Sequence, residues 1–157
     1  MGILSGILGL FGCGNEDPSP PKSGDSFIAN QIKIHNLTNE LQKLRNGETE
    51  FNFIGITSNG TDCIYFVQDG PNFQIEFEAM LEQQIQYVEK LKEFSNSNGY
   101  KFLMISYGNK PKYNSSGDAP VIRIKTNSDL NKTSEIGSLI QESIFRNTKE
   151  TIYDVVP

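Results

Sequence analysis

The stretch from Gly47 to Met80, GETEFNFIGITSNGTDCIYFVQDGPNFQIEFEAM, constrains the fold more than any other part of the chain. It reads as a meander of three strands. Asn59-Gly60 suits a tight turn with positive φ, and Asp69-Gly70-Pro71-Asn72 suits a second. In the third strand Phe73, Ile75 and Phe77 alternate with Gln74, Glu76 and Glu78, so successive side chains fall on opposite faces. The expectation is one buried face and one wet face, the antiparallel signature.

Helices supply the layer such a sheet needs. Ile34, Leu37, Leu41 and Leu44 recur at three- and four-residue spacing, with Phe27 and Ile28 extending the stripe backwards. Asp25 or Ser26 can cap this helix, and Asn46-Gly47 ends it. A second helix is predicted over 80–97, with Leu81, Ile85, Val88 and Leu91 as its stripe and Asn98-Gly99 as its stop. Two more strands follow, YKFLMISY from Tyr100 and VIRIKT from Val121, on either side of the polar loop GNKPKYNSSGDAP. Ile122 and Ile124 belong to the core, and Arg123 and Lys125 to the wet face. A third helix begins after Asn127 or Ser128 and carries Ile136, Leu139, Ile140 and Ile144. The tail ETIYDVV reads as a short edge strand or as a helix extension. The order α-β-β-β-α-β-β-α argues an α+β fold, an antiparallel sheet with helices packed on one side, because no strand–helix–strand alternation runs through it.

Residues 1–25 differ from the rest. Met1–Gly14 reads MGILSGILGLFGCG, and Asn15–Asp25 reads NEDPSPPKSGD, a tether composition that cannot bury apolar surface. The folded domain is expected over 26–157. If the first segment is helical, Ile3, Leu4, Ile7, Leu8 and Phe11 gather on one face, with Leu10 beside them. These six are candidate membrane contacts for a stripe lying in a bilayer interface. Cys13 is a candidate lipidation site, since Leu10-Phe11-Gly12-Cys13 approximates a bacterial lipobox. The segment before it is short and has no Lys or Arg, unlike a secretory leader. Gly2 is a poor myristoylation site, because Gly6 stands where Ser or Thr is wanted. Peripheral contact, a lipoprotein anchor and a tail without function therefore stay open.

Charge and composition remove several function classes. The chain has 157 residues and a net charge of −5, with no cluster of Lys and Arg, so no nucleic-acid partner is expected. No apolar run is long enough to span a bilayer. Two cysteines, Cys13 and Cys63, and one histidine, His35, cannot assemble a zinc site of the usual kind. No phosphate-binding glycine loop is present, so neither a cofactor nor a metal is expected.

The element order, with Tyr65-Phe66-Val67-Gln68 followed by Phe73-Gln74-Ile75-Glu76-Phe77-Glu78, then a helix and Asn98-Gly99-Tyr100, resembles the type III secretion chaperone-like fold of YbjN-type and TY-Chap domains. The resemblance covers about Ser26 to Phe145. It implies a helper without catalytic activity that binds another protein, often as a homodimer.

No catalytic residue is expected. His35 has no marked orienting carboxylate or nucleophile. Cys63 stands beside Asp62, whose charge raises a thiol pKa and blunts it. Glu76 and Glu78 share one strand face, whereas glycoside hydrolysis needs carboxylates opposed across a cleft. The leading expectation is a protein-binding or chaperone-like module, cytoplasmic and held at a membrane by its N-terminus. The alternatives are a lipid-anchored envelope protein and an immunity protein against a secreted toxin.

Overall fold

A computed structural model describes residues 30–105, 112–113 and 117–157. The strands are β1 (Asn30–Lys33), β2 (Phe53–Thr57), β3 (Ile64–Asp69), β4 (Asn72–Glu78), β5 (Lys101–Ile105), the short pair β6 (Lys112–Tyr113) and β7 (Gly117–Asp118), β8 (Val121–Ser128) and β9 (Ile152–Val156). The helices are α1 (Leu37–Arg45), α2 (Ile85–Ser97) and α3 (Leu130–Ser143). Seven strands form one antiparallel sheet in the order β1-β9-β2-β3-β4-β8-β5, giving the expected α+β class. The meander forms as predicted, with Gly60 and Gly70 at positive φ in its turns.

Registry sorts the side chains onto two faces. Ile54, Phe66, Ile75, Ile124 and Phe102 are cross-strand neighbours in one row beneath the helices. The first four of them are buried, as are Phe73, Phe77 and Ile122. Helix α3 reaches this row closely because Gly137 has no side chain; a Cβ there would stand 2.8 Å from Phe66 Cζ and 3.1 Å from Leu37 Cδ2. Leu37, Leu41 and Leu44 of α1 and Ile136 and Ile140 of α3 complete the apolar layer.

Several expectations are corrected. Residues 30–33 do not continue the first helix backwards; they pair with β9 as an edge strand, and Ile34–Asn36 form a 3₁₀ turn before α1. Ile32 in the strand and Ile34 in the turn lie just before Leu37 in sequence, and that spacing imitates a helical stripe. The tail is a strand, β9, lying inside the sheet between β1 and β2. Asp129 caps α3, its carboxylate accepting from the Lys132 amide at 2.8 Å. Leu81 and Ile85 are exposed, because a 3₁₀ turn at Glu82–Gln84 resets the register of α2. Its buried residues are Val88, Leu91 and Ser95, and Gln84 is buried in the turn before it. Leu139 is exposed, at the margin of the α3 stripe.

The wet-face expectation fails at Gln74 and Glu76, which are buried at 1% and 6% exposure. Both do point away from the helices. Gln74 is covered because β8 carries extra residues opposite Phe73 and Ile75. That bulge puts Asn127 at φ 45° and lets it exchange hydrogen bonds with the Gln74 amide, at 2.7 and 3.1 Å. Glu76 is covered by its cross-strand neighbours Tyr65 and Arg123. Glu78, Arg123 and Lys125 are half-buried.

Candidate functional site

No helix covers the second face of the sheet among the described residues. There Val156, Gly55, Tyr65, Glu76, Arg123 and Leu103 form a cross-strand row running through six strands. Gly55 is a notch in that row. A Cβ on it would stand 2.9 Å from Tyr65 Cδ1 and Cε1 and 2.9 Å from Val156 Cγ2, so the Tyr65 ring leans across β2. Phe53 meets that ring edge-on, with centroids 5.9 Å apart at 78°, and Phe51 stacks on Phe53 at 5.3 Å. Three aromatic rings thus step up one side of the row.

The polar side of the row is an ion pair. Arg123 Nε donates to Glu76 Oε2 at 2.6 Å, and Nη2 donates to the same oxygen. Between the aromatic and charged sides lies a groove of about 580 Å³. Phe53, Tyr65, Val67 and Pro157 line it with Asn52, Glu76, Glu78 and Arg123. Among the described residues its lining holds two carboxylates and one guanidinium. Burial pushes the Tyr65 phenol pKa upward, and the Cys63 sulfur and the Glu78 charge add to the shift. Burial likewise lifts the Cys63 thiol to about 11; its hydrogen bond with Tyr65 opposes the shift, and the charges of Asp62 and Glu78 reinforce it. The thiol is therefore protonated near neutrality, a poor nucleophile as its acidic neighbour predicts.

The sequence-predicted candidates are not brought together. His35 is exposed on the helix layer, at a separate groove between α1 and α3 of about 550 Å³ that Glu135 and Glu142 also line. Cys63 stands just before β3. Glu76 and Glu78 rise from the same strand, so they line one wall of the groove instead of facing each other across it. Among the described residues no three His, Cys, Asp or Glu side chains gather as a metal site. The candidate membrane contacts Ile3, Leu4, Ile7, Leu8, Leu10 and Phe11, and Cys13, lie outside the described residues. No helix among those described is long and apolar enough to cross a membrane.

One polar centre escapes the sequence reading. Asp62, only 2% exposed, takes hydrogen bonds from Thr57 Oγ1 at 2.7 Å, the Ser58 amide at 2.8 Å, Ser58 Oγ at 2.5 Å and Asn147 Nδ2 at 2.8 Å. Gln141 Nε2 donates to its carbonyl at 3.0 Å, and Gln84 Nε2 to the Thr61 carbonyl at 2.9 Å. This network ties the β2–β3 turn to the start of α2 and the end of α3. Burial alone would raise the Asp62 carboxyl; the bonds from Ser58, Thr57 and Asn147 outweigh it and hold the pKa below its ordinary value. The signal was the run Thr57-Ser58-Asn59-Gly60-Thr61-Asp62, dense in side chains that bond nearby backbone.

Set against protein-family models, curated proteins and solved structures, the chain gives no significant match, so a functional reading rests on the chemistry of the open face.

Proposed function

We propose that this chain is a non-catalytic protein-binding module, chaperone-like in role, whose docking surface is the groove on the open face of the sheet. The observation that carries the reading is the aromatic step of Phe51, Phe53 and Tyr65 beside that groove. Phe51 is 47% exposed and stacks on Phe53, so an aromatic surface is presented where a self-sufficient domain gains nothing by showing it. Aromatic side chains and Arg are enriched where proteins meet, and the row supplies both. In this reading the domain is cytoplasmic, and the stripe of Ile3, Leu4, Ile7, Leu8, Leu10 and Phe11 adds a peripheral membrane contact.

The test is capture of a partner by the full-length chain from a lysate of its own cells, with the bound proteins identified by mass spectrometry. A partner retained by the parent chain and by Leu139→Ser on the helix layer, yet lost with Phe53→Ser, supports the groove. Retention by all three chains would refute it. Intact-mass measurement decides the N-terminal part: an unmodified Cys13 and a membrane-bound chain are expected, whereas a lipid adduct on Cys13 would favour the envelope lipoprotein.

A further inference from the structure

The β2–β3 turn carries chemistry that is independent of the open face. We infer that Asn59 is a self-modifying residue: the Gly60 backbone nitrogen closes on the Asn59 side chain, ammonia is lost, and water opens the resulting succinimide to aspartate or isoaspartate. The chain has three Asn-Gly pairs, at 46–47, 59–60 and 98–99, and in each the glycine leaves its nitrogen unhindered by a side chain. The surroundings of Asn59 set it apart from the other two.

Electrophile and nucleophile are both supplied with what the reaction needs. Thr61 N–H and Thr61 Oγ1 each donate to Asn59 Oδ1 at 2.8 Å. An amide N–H can only donate, so the atom facing it is the carbonyl oxygen. The two donors polarise that carbonyl and hold the charge that grows on its oxygen as the ring closes, as an oxyanion hole does. The ring these bonds close spans Gly60, so the electrophilic carbon is kept beside the attacking nitrogen. That nitrogen also has a base. Gly60 N–H donates to Thr57 Oγ1 at 2.8 Å, and Thr57 Oγ1 donates to Asp62 Oδ1 at 2.7 Å. The Asp62 carboxyl, its pKa held below the ordinary value, is an anion at neutral pH.

The step balances within the turn. As Gly60 N bonds to Asn59 Cγ, its proton moves to Thr57 Oγ1 and the Thr57 proton moves to Asp62. The carbonyl electron pair shifts onto Oδ1 and then returns, breaking the Cγ–Nδ2 bond. Nδ2 leaves as ammonia with the proton taken from Gly60, and Asp62 is an anion again. Asn59 and Gly60 are exposed, so solvent water can add at either imide carbonyl. The product places a new carboxylate, or a lengthened backbone, beside Asp62, whose Oδ1 also takes the Asn59 amide at 3.3 Å. At the other two pairs the glycine nitrogen faces a backbone carbonyl instead. Gly47 N–H donates to the Leu44 carbonyl at 3.1 Å, and Gly99 N–H to the Asn96 carbonyl at 3.3 Å. A carbonyl accepts a bond but has no proton to pass on.

The test is peptide mapping by mass spectrometry of the full-length protein aged at neutral pH, both folded and in guanidinium chloride. Aspartate and isoaspartate are scored at all three pairs. Asn59 should convert about tenfold faster in the folded chain than in the unfolded one, whereas Asn46 and Asn98 should convert more slowly when folded. Thr57→Val removes the relay, and Thr61→Val removes one of the two donors to Oδ1. Each should slow Asn59 about tenfold in the folded chain and leave the unfolded rate unchanged. An Asn59 rate equal or lower in the folded chain would overturn the inference, because the turn would then protect the residue as the helix ends protect theirs. An unchanged folded rate in either variant would overturn it as well. Should a variant lose its fold, Asn46 and Asn98 will speed up together, and the folded-to-unfolded ratio of the parent chain then decides alone.

Discussion

The two faces of this sheet are built from the same strands, one residue out of step, and they bury their side chains by different means. On the covered face Ile54, Phe66, Ile75 and Ile124 lie under three helices and are dry because hydrocarbon packs on them. On the open face Gly55, Tyr65, Glu76 and Arg123 follow the same row without a helix above. Glu76 is nonetheless 6% exposed, shielded by the long side chains of its own neighbours. Packing density makes the first face rigid, and mutual cover leaves the second adjustable. Adjustable cover is what a docking surface needs.

The sharpest way to break that comparison is to truncate adjacent residues, one on each face. Phe66→Ala removes a fully buried ring against α3 and should cost about 3–5 kcal/mol. Tyr65→Ala, one residue earlier and half-buried, should cost about 1–2 kcal/mol. Urea unfolding of the two variants measures both. Equal losses would mean that the open face carries as much of the core as the covered one.

Asp62 is where polar groups, not hydrocarbon, join the sheet to the helix layer. Asp62→Asn leaves Ser58, Thr57 and Asn147 facing an amide, and should cost about 2 kcal/mol at neutral pH. The pH dependence has a definite sign. The folded-state pKa is depressed below 3.8, so the stabilisation is fully present above the unfolded-state value and is lost as pH falls through the folded one. Thermal melts of the parent chain should therefore fall more steeply below about pH 4 than melts of Asp62→Asn, and parallel curves would remove Asp62 from that role.

These contrasts also mark what the sequence makes legible. Alternation in β4 identifies which residues share a face, and Phe73, Ile75 and Phe77 are buried as read. It does not reveal whether the other face is wet, since that depends on strands distant in sequence. Glu76 meets Arg123 across 47 residues, and Gln74 meets Asn127 across 53. Edge strand β1 was hidden for a related reason: four residues hold too few alternations to compete with the helical spacing that follows. The groove had no local signature either, because Gly55, Tyr65 and Pro157 converge only once β9 inserts beside β2.

Adding one methyl group to each face applies a matched perturbation. Gly137→Ala pushes a Cβ against Phe66 and Leu37, which packing holds in place; the overpacking cost exceeds the gain in helix propensity and leaves a net loss of about 1–2 kcal/mol. Gly55→Ala meets the Tyr65 ring and Val156 just as closely, but the half-buried ring can swing towards solvent. Its stability loss should stay within about 1 kcal/mol, with the larger change appearing in partner capture as the edge-on Phe53–Tyr65 contact is deformed. Identical stability losses, with capture unchanged, would put both faces in the same mechanical class.

The smallest effect is expected from the ion pair, and it bears most directly on how dry the open face is. The Arg123 side chain is 31% exposed, so when Glu76→Gln removes that carboxylate the guanidinium can turn towards water. A double-mutant cycle with Glu76→Gln and Arg123→Gln should give a coupling energy of about 1 kcal/mol, near the upper end for exposed pairs and well below the loss from breaking a buried one. Raising the salt should reduce that coupling modestly, since screening acts on charges that water can reach. A coupling of about 3 kcal/mol or more that ignores salt would describe a pair sealed from solvent. The open face would then be a second core held by charge, with no adjustable cover.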